Sequence, residues 1–323
     1  MLNYLYLKLV SLWFDRIKQF YYGTSAWKSF FVYGLNYWKR DEMTRWRAES
    51  FIPYIFNQKY RDDFLEDLDE VWRTIAIKSI DNIKKIVCNN YCLYDDLYDD
   101  RLVIDQKNFA QYVLSNKWKY FPNFDYLYLT NDYYLHTLDG LCNDVNWKDI
   151  LDCGAFMWDT AVPLSYMFSQ SKIYWFEPEF HNYQKFQNII TYNQLQDHII
   201  AVKQWVWDKY TMTTISDGWA GAKIWEKWEE VEIIPIDQFV SEKELQVGLI
   251  KRDIEWFEYE SVVWSEQTIK KYKPVLIISL YHRGKDFFEI KKMIEWRDLW
   301  YKFTVRKWNC FHPFADTVLI CYH

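Results

Sequence analysis

Four short stretches carry side chains able to do chemistry. Asp152-Cys153-Gly154-Ala155 closes an apolar run that starts at Ile150, and Phe176-Glu177-Pro178 closes a second run, Lys172–Phe176. Asp253 and Glu255 end or follow a third run, Val247–Ile254, and His282 follows a fourth, Val275–Tyr281. Each polar group stands at the carboxyl end of a strand-like run, where an open α/β sheet binds its ligand. Gly154 suits a turn where backbone approaches a ligand closely. The N–H groups of a helix starting there would favour an anionic group. Asp152 is placed to meet a cationic amino group, directly or through water; its alternative role is to cap the turn. Glu177 lies 23 positions after Gly154. A carboxylate at that place can accept hydrogen bonds from both hydroxyls of a ribose, as in dinucleotide-binding folds. Asp253 and Glu255 would point to one side of an extended segment. With His282, which titrates nearest neutral pH, they are the candidate general bases.

The first loop chooses between two nucleoside cofactors. A nicotinamide fingerprint reads G-x-G-x-x-G. Here the loop reads Asp152-Cys153-Gly154-Ala155-Phe156-Met157-Trp158, without the second glycine. The expectation is S-adenosyl-L-methionine rather than NAD, held by Asp152, Gly154, Ala155, Trp158, Glu177 and Pro178.

These residues need a sheet to align them. From Asp149 onward, short apolar runs alternate with helical stretches. Ile150–Cys153 precedes a helix to about Phe168, and Lys172–Phe176 precedes one over 179–195. Ile199–Val206 follows. Val247–Ile254 leads into a helix to Tyr272, and Val275–Tyr281 into one to about Trp296; Lys302–Arg306 and Thr317–Tyr322 end the series. Such alternation predicts a mostly parallel sheet covered by helices on both faces. An extra β-rich piece, Thr211–Ile215 and Val231–Ile236, interrupts it. Residues 1–146 read as a mainly helical N-terminal region. Phe64, Leu68, Val71, Ile75, Ile80 and Ile83 keep near-helical spacing, and Asp105 is a candidate cap for a helix over 106–114. Catalytic motifs appear only in residues 147–323.

Five motifs in order carry a family resemblance. They are Asp152-Cys153-Gly154-Ala155 with Asp159-Thr160, Phe176-Glu177-Pro178, Pro235-Ile236-Asp237-Gln238-Phe239-Val240, Lys251-Arg252-Asp253-Ile254-Glu255 and Ile278-Ser279-Leu280-Tyr281-His282. In this order and spacing the segment resembles FkbM methyltransferases. The resemblance implies a class I methyltransferase (Rossmann-like) fold with a seven-stranded sheet, S-adenosylmethionine as methyl donor, and usually O-methylation of a sugar, glycan or secondary-metabolite hydroxyl. A methyltransferase fold kept only as a binding module is the competing function.

Composition narrows the partners. The net charge of −6 does not favour nucleic acid. No run reaches the roughly 18 apolar residues of a membrane span, and the apolar stretch 1–14 lacks the features of a signal peptide, so a cytoplasmic protein is expected. The six cysteines show no metal-ligand spacing and read as buried thiols. The acidic run 94–100 reads as solvated surface. The 8 Gly and 19 Trp are abnormal, because a chain of this length at ordinary usage carries about 23 Gly. The FkbM pattern has Gly at Trp158 and Trp256, and Trp205, Trp219, Trp225, Trp228, Trp264 and Trp300 also stand where glycine is natural. Two readings stay open: a degenerate chain that no longer binds the cofactor, or glycines of a gene that reads UGA as glycine, translated as tryptophan. The second expects Trp158 to crowd the cleft and Trp219, Trp225 and Trp228 to sit on exposed turns, while a genuine Trp such as Trp72 is buried.

Overall fold

The computed structural model describes residues 42–88, 135, 138–154, 160–215, 229–307 and 317–323. The expected helix over 106–114, the acidic run 94–100, Ala155, Trp158, Trp219, Trp225 and Trp228 lie outside the described residues.

Seven strands form one sheet: β1 (Asp149–Cys153), β2 (Ile173–Phe176), β3 (Ile199–Val202), β7 (Val247–Arg252), β8 (Val275–Ser279), β9 (Lys302–Lys307) and β10 (Thr317–Tyr322). Their order is β3-β2-β1-β7-β8-β10-β9. All pairings are parallel except those of β10 with β8 and β9. The predicted mostly parallel sheet ending in an adjacent pair is therefore present. Residues 199–206 form two strands in two sheets. A smaller sheet orders β4 (Gln204–Val206), β6 (Glu229–Ile234) and β5 (Thr211–Ile215). Pro235 ends β6 as the N-cap of a helix, so the strand expected to reach Ile236 stops two residues short.

The sheet is apolar because both faces are covered. Every residue of β7 and β8 is buried. Alternation along the strands divides the core. Leu151, Cys153, Ile250, Leu276 and Ile278 pack on one face; Ile150, Leu249, Val275 and Ile277 pack on the other.

Helices α1 (Glu42–Ile55), α2 (Gln58–Leu65) and α3 (Glu70–Cys88) supply part of the first face. The apolar stripe from Phe64 to Ile83 spans two of them, since Asp67 turns the chain at φ 57° and Asp69 accepts from the Trp72 amide at 3.1 Å. They dock on a C-terminal helix, α10 (Gly284–Glu295). Phe51 meets Phe287 edge-on at 5.7 Å, Tyr54 stacks on Phe288 at 5.5 Å, and the Tyr54 hydroxyl donates to Glu289 at 2.8 Å. A Cβ on Gly284 would lie 2.4 Å from the Ser50 carbonyl oxygen, so this contact requires glycine. The described N-terminal helices thus share one core with the sheet. The second face is covered by α4 (Leu141–Val145), α5 (Ala161–Met167) and α6 (Phe180–Tyr192).

Between β6 and β8 lie α7 (Ile236–Glu242), α8 (Glu258–Trp264) and α9 (Glu266–Tyr272). The single helix expected to run to Tyr272 is broken at Ser265, whose hydroxyl donates to the Ser261 carbonyl at 2.8 Å. Asp237 caps the second piece, accepting from the amides of Gln267 at 3.1 Å and Thr268 at 2.8 Å. Among the described residues, no helix is long and apolar enough to cross a membrane.

Candidate active site at the switch point

Strand order reverses between β1 and β7: β2 and β3 lie on one side of β1, while β7 and β8 lie on the other. The carboxyl ends of β1 and β7 therefore frame a crevice. The Asp253 amide donates to the Cys153 carbonyl at 3.0 Å, carrying the ladder one step past the strands. Gly154 follows at φ 69°, and a Cβ there would lie 2.0 Å from the Asp253 carbonyl oxygen. Only glycine lets the two strand ends approach this closely.

Asp152 is fully buried. The carboxylate expected to face a cofactor's ammonium meets an internal one: Lys251 Nζ lies 3.1 Å from Oδ1, and Thr160 Oγ1 donates to Oδ2 at 2.7 Å. Lys251 Nζ also donates to the Gly154 carbonyl at 2.9 Å. A buried carboxylate must be paired, and the partner comes from the neighbouring strand, where Asp152 and Lys251 are in register. The pair ties the start of the first loop to β7.

Glu177 directly follows β2 and is only 6% exposed. One oxygen accepts from the Glu179 amide at 3.0 Å. Burial pushes its carboxyl up to about 8, against hydrogen bonds from that amide and from Asn182. Asn182, in the first turn of α6, keeps a buried Oδ1 without a hydrogen-bond partner. Pro178 is half-buried between them and directs the chain into α6.

The third group gathers at the ends of β7 and β8. Asp253 is 20% exposed at its side chain, and the Tyr281 hydroxyl donates to both its oxygens at 3.0 and 2.9 Å. His282 is fully buried. Its Nε2 faces Asp253 Oδ1 at 3.7 Å, and its Nδ1 lies 2.9 Å from Glu258 Oε1. Burial opposes charge on the ring, but the carboxylates of Glu258, Asp253 and Glu255 outweigh it and push His282 up to about 9. Glu255 does not continue an extended segment. It stands at φ 50° and Trp256 at φ 77°, so the alternation expected to align Asp253 with Glu255 ends at Asp253. This reversal brings Glu258 back beneath the strand tip, where it also accepts from the Ile254 amide at 3.1 Å. Lys251 and Glu258 are the residues that sequence reasoning missed. Both look like ordinary strand and helix-start residues until the fold brings their partners to them.

Residues 148–303 match the model of the methyltransferase FkbM domain. The chain carries an FkbM-type methyltransferase domain. A methyltransferase FkbM from Methylobacillus flagellatus has the same fold, with 17% identity and a TM-score of 0.55 over 84% of this chain and 60% of that one. The chain thus spans less than two thirds of that relative. The METTL16 methyltransferase domain is more remote, at 9% identity and a TM-score of 0.42 over 67% and 77% of the two chains. A putative caffeoyl-CoA O-methyltransferase from Staphylococcus aureus gives 13% and 0.37 over 67% and 90%. Nothing among curated proteins matches.

The described tryptophans from Trp147 onward occupy several kinds of environment. Trp175 is fully buried, as is expected of a large aromatic. Trp256, Trp300 and Trp147 have φ of 77°, 66° and 70°, and Trp147 and Trp300 are 78% and 79% exposed. Trp205 and Trp264 are half-buried in an aromatic cluster around Trp207. Trp72, in the N-terminal helices, is buried with the Arg306 guanidinium 4.4 Å over its ring.

Proposed function

We propose that the FkbM domain binds S-adenosyl-L-methionine across the ends of β1 and β2 and methylates a hydroxyl oxygen of a small-molecule or glycan acceptor. The observation that carries this reading is Glu177, a buried carboxylate at the end of β2 beside an Asn182 oxygen that lacks a donor. Burying such acceptors is costly unless something donates to them, and the ribose hydroxyls of the cofactor are suitable donors. Gly154 supports the reading by holding the loop backbone at the crevice floor. The proposal extends to Asp152 and Pro178 as the rigid frame of the site, and to Ala155 and Trp158 as loop contacts.

When bound, S-adenosylmethionine supplies a methyl group on a sulfonium, open to in-line attack. The protein's task is to align the acceptor oxygen and take its proton. Asp253 reaches the crevice surface, and Tyr281 fixes the direction of its carboxylate. Buried His282 acts on an acceptor through Asp253, and Glu255 stands at the turn beside them. These three remain the proposed base and its immediate neighbours.

Isothermal titration calorimetry with S-adenosylmethionine tests the cofactor site. Glu177→Ala removes the hydrogen bonds to both ribose hydroxyls, worth about 0.5–1.5 kcal/mol each for a largely neutral carboxyl, so affinity should fall roughly 5- to 150-fold. Equal affinity in the two proteins removes Glu177 from the site.

A further inference from the structure

The geometry points to a divalent-cation site at the ends of β7 and β8, with Asp253 Oδ1 and His282 Nε2 as ligands and Glu258 behind the histidine. Ligand atoms from these three residues all lie within 4.8 Å of one another. Metal–nitrogen and metal–oxygen bonds of about 2.0–2.2 Å place two neighbouring ligands roughly 3.0–3.7 Å apart. Asp253 Oδ1 and His282 Nε2 are separated by 3.7 Å, too far for a hydrogen bond and suited to an ion between them.

The second observation is an orphan. His282 is fully buried, yet its Nε2 has no hydrogen-bond partner, and neither does Glu258 Oε2. The other ring nitrogen is held at 2.9 Å by Glu258 Oε1. A histidine anchored through one nitrogen by a carboxylate, presenting the other to a third group, is the arrangement that orients a metal-bound imidazole. Charge agrees. Asp253 and Glu258 place two carboxylates around one ring, while the nearby cations are engaged elsewhere: Lys251 with Asp152, and Arg283 with Glu260 and Asp286. The 20% exposure of Asp253 leaves an entry path.

Mixed nitrogen and carboxylate ligation selects Mn²⁺ or Zn²⁺ over Ca²⁺, which takes oxygen ligands. An ion held by Asp253 and His282 would be able to polarise an acceptor hydroxyl. Asp253 then serves as a ligand, and Glu255 is the carboxylate left at the mouth for the proton. The site rests on its own geometry, so its test uses neither cofactor nor methyl transfer.

The full chain is titrated with Mn²⁺, followed by calorimetry and by the paramagnetic resonance of the free ion. One ion per chain is expected. Asp253→Asn should weaken binding at least tenfold, and Glu258→Gln by roughly 10- to 100-fold through loss of histidine orientation. His282→Ala should abolish binding. Because that residue is buried, the part-exposed Asp253→Asn carries the test if His282→Ala fails to fold. Absence of binding at millimolar Mn²⁺, equal affinity in the variants, or Ca²⁺ binding as tightly as Mn²⁺ would each overturn the site.

Discussion

Replacing Trp147, Trp256 and Trp300 with glycine should stabilise the protein. All three hold φ between 66° and 77°, where the Cβ of an L-residue crowds the backbone at a cost of about 1–2 kcal/mol. Trp147 illustrates the local reason. It follows α4, and the Lys148 amide turns back to the Val145 carbonyl at 3.1 Å, a helix ending that favours glycine. Glycine returns some of the gain through the unfolded chain, about 0.4–1 kcal/mol per site. Little burial is lost at Trp147 and Trp300, which are 78% and 79% exposed. The net gain is about 0.5–1 kcal/mol per site, at the low end for half-buried Trp256, or roughly 1.5–3 kcal/mol for the triple variant if the sites add. Urea unfolding followed by far-ultraviolet circular dichroism measures it without depending on tryptophan fluorescence. Trp175→Ala is the control and should lose about 3–5 kcal/mol, because that ring is fully buried. A triple variant no more stable than the parent would refute the strain argument. The same geometry has a genetic counterpart. Among the described residues, three of the nine non-glycine residues at positive φ are Trp, a bulky type that such backbone excludes almost everywhere. Glycine codons read as tryptophan account for this, and UGA is expected at codons 147, 256 and 300. UGG there would leave the degenerate-chain reading.

Two further outcomes follow from the crevice. Gly154→Ala combines a left-handed backbone with a Cβ 2.0 Å from the Asp253 carbonyl oxygen; strain and overpacking together cost about 2–5 kcal/mol, and a urea midpoint within error of the parent would show that the strand ends do not meet as described. Burial pushes Glu177 up to about 8 from an ordinary carboxyl value of 4.5, so the folded state holds a proton that the unfolded chain releases. Its contribution to stability should therefore fall as pH rises from about 4.5 to 8 and level off above, and Glu177→Gln should flatten that part of the profile; an identical slope in parent and variant refutes it.

The strands were legible because parallel strands buried on both faces are nearly continuous apolar runs. Val275–Ser279 needed no tertiary information, and the antiparallel Thr317–Tyr322 reads the same way because it too is buried over nearly its whole length. Errors arose where one apolar run serves two partners. Residues 199–206 look like a single strand, yet β3 pairs with β2 and β4 pairs with β6. Likewise, the stretch to Tyr272 keeps helical character on both sides of Ser265, and the break comes from Asp237, 30 residues away from the Gln267 amide that it caps. Pattern reports which face is apolar, but not which element will claim it.

The site was legible in the same partial way. Asp152, Glu177, Asp253 and His282 could be placed at the strand ends, where this architecture binds ligands. Their partners could not, because pairing depends on register. Lys251 opposes Asp152 only because β1 and β7 are neighbours without being consecutive in the chain. Glu258 reaches His282 across 24 residues of sequence, once Glu255 and Trp256 have reversed the chain. One sequence signal does point to these partners. Lys251 and Arg252 are charged residues at the end of a strand that is otherwise apolar, and both are buried. Desolvating such a charge costs several kcal/mol unless a partner waits for it. Lys251 finds that partner in Asp152 at the crevice, whereas Arg252 finds only the Ser265 hydroxyl and keeps Nε and Nη1 without hydrogen bonds, so a charge inside an apolar run marks where to look for a counter-group without ensuring that one is there.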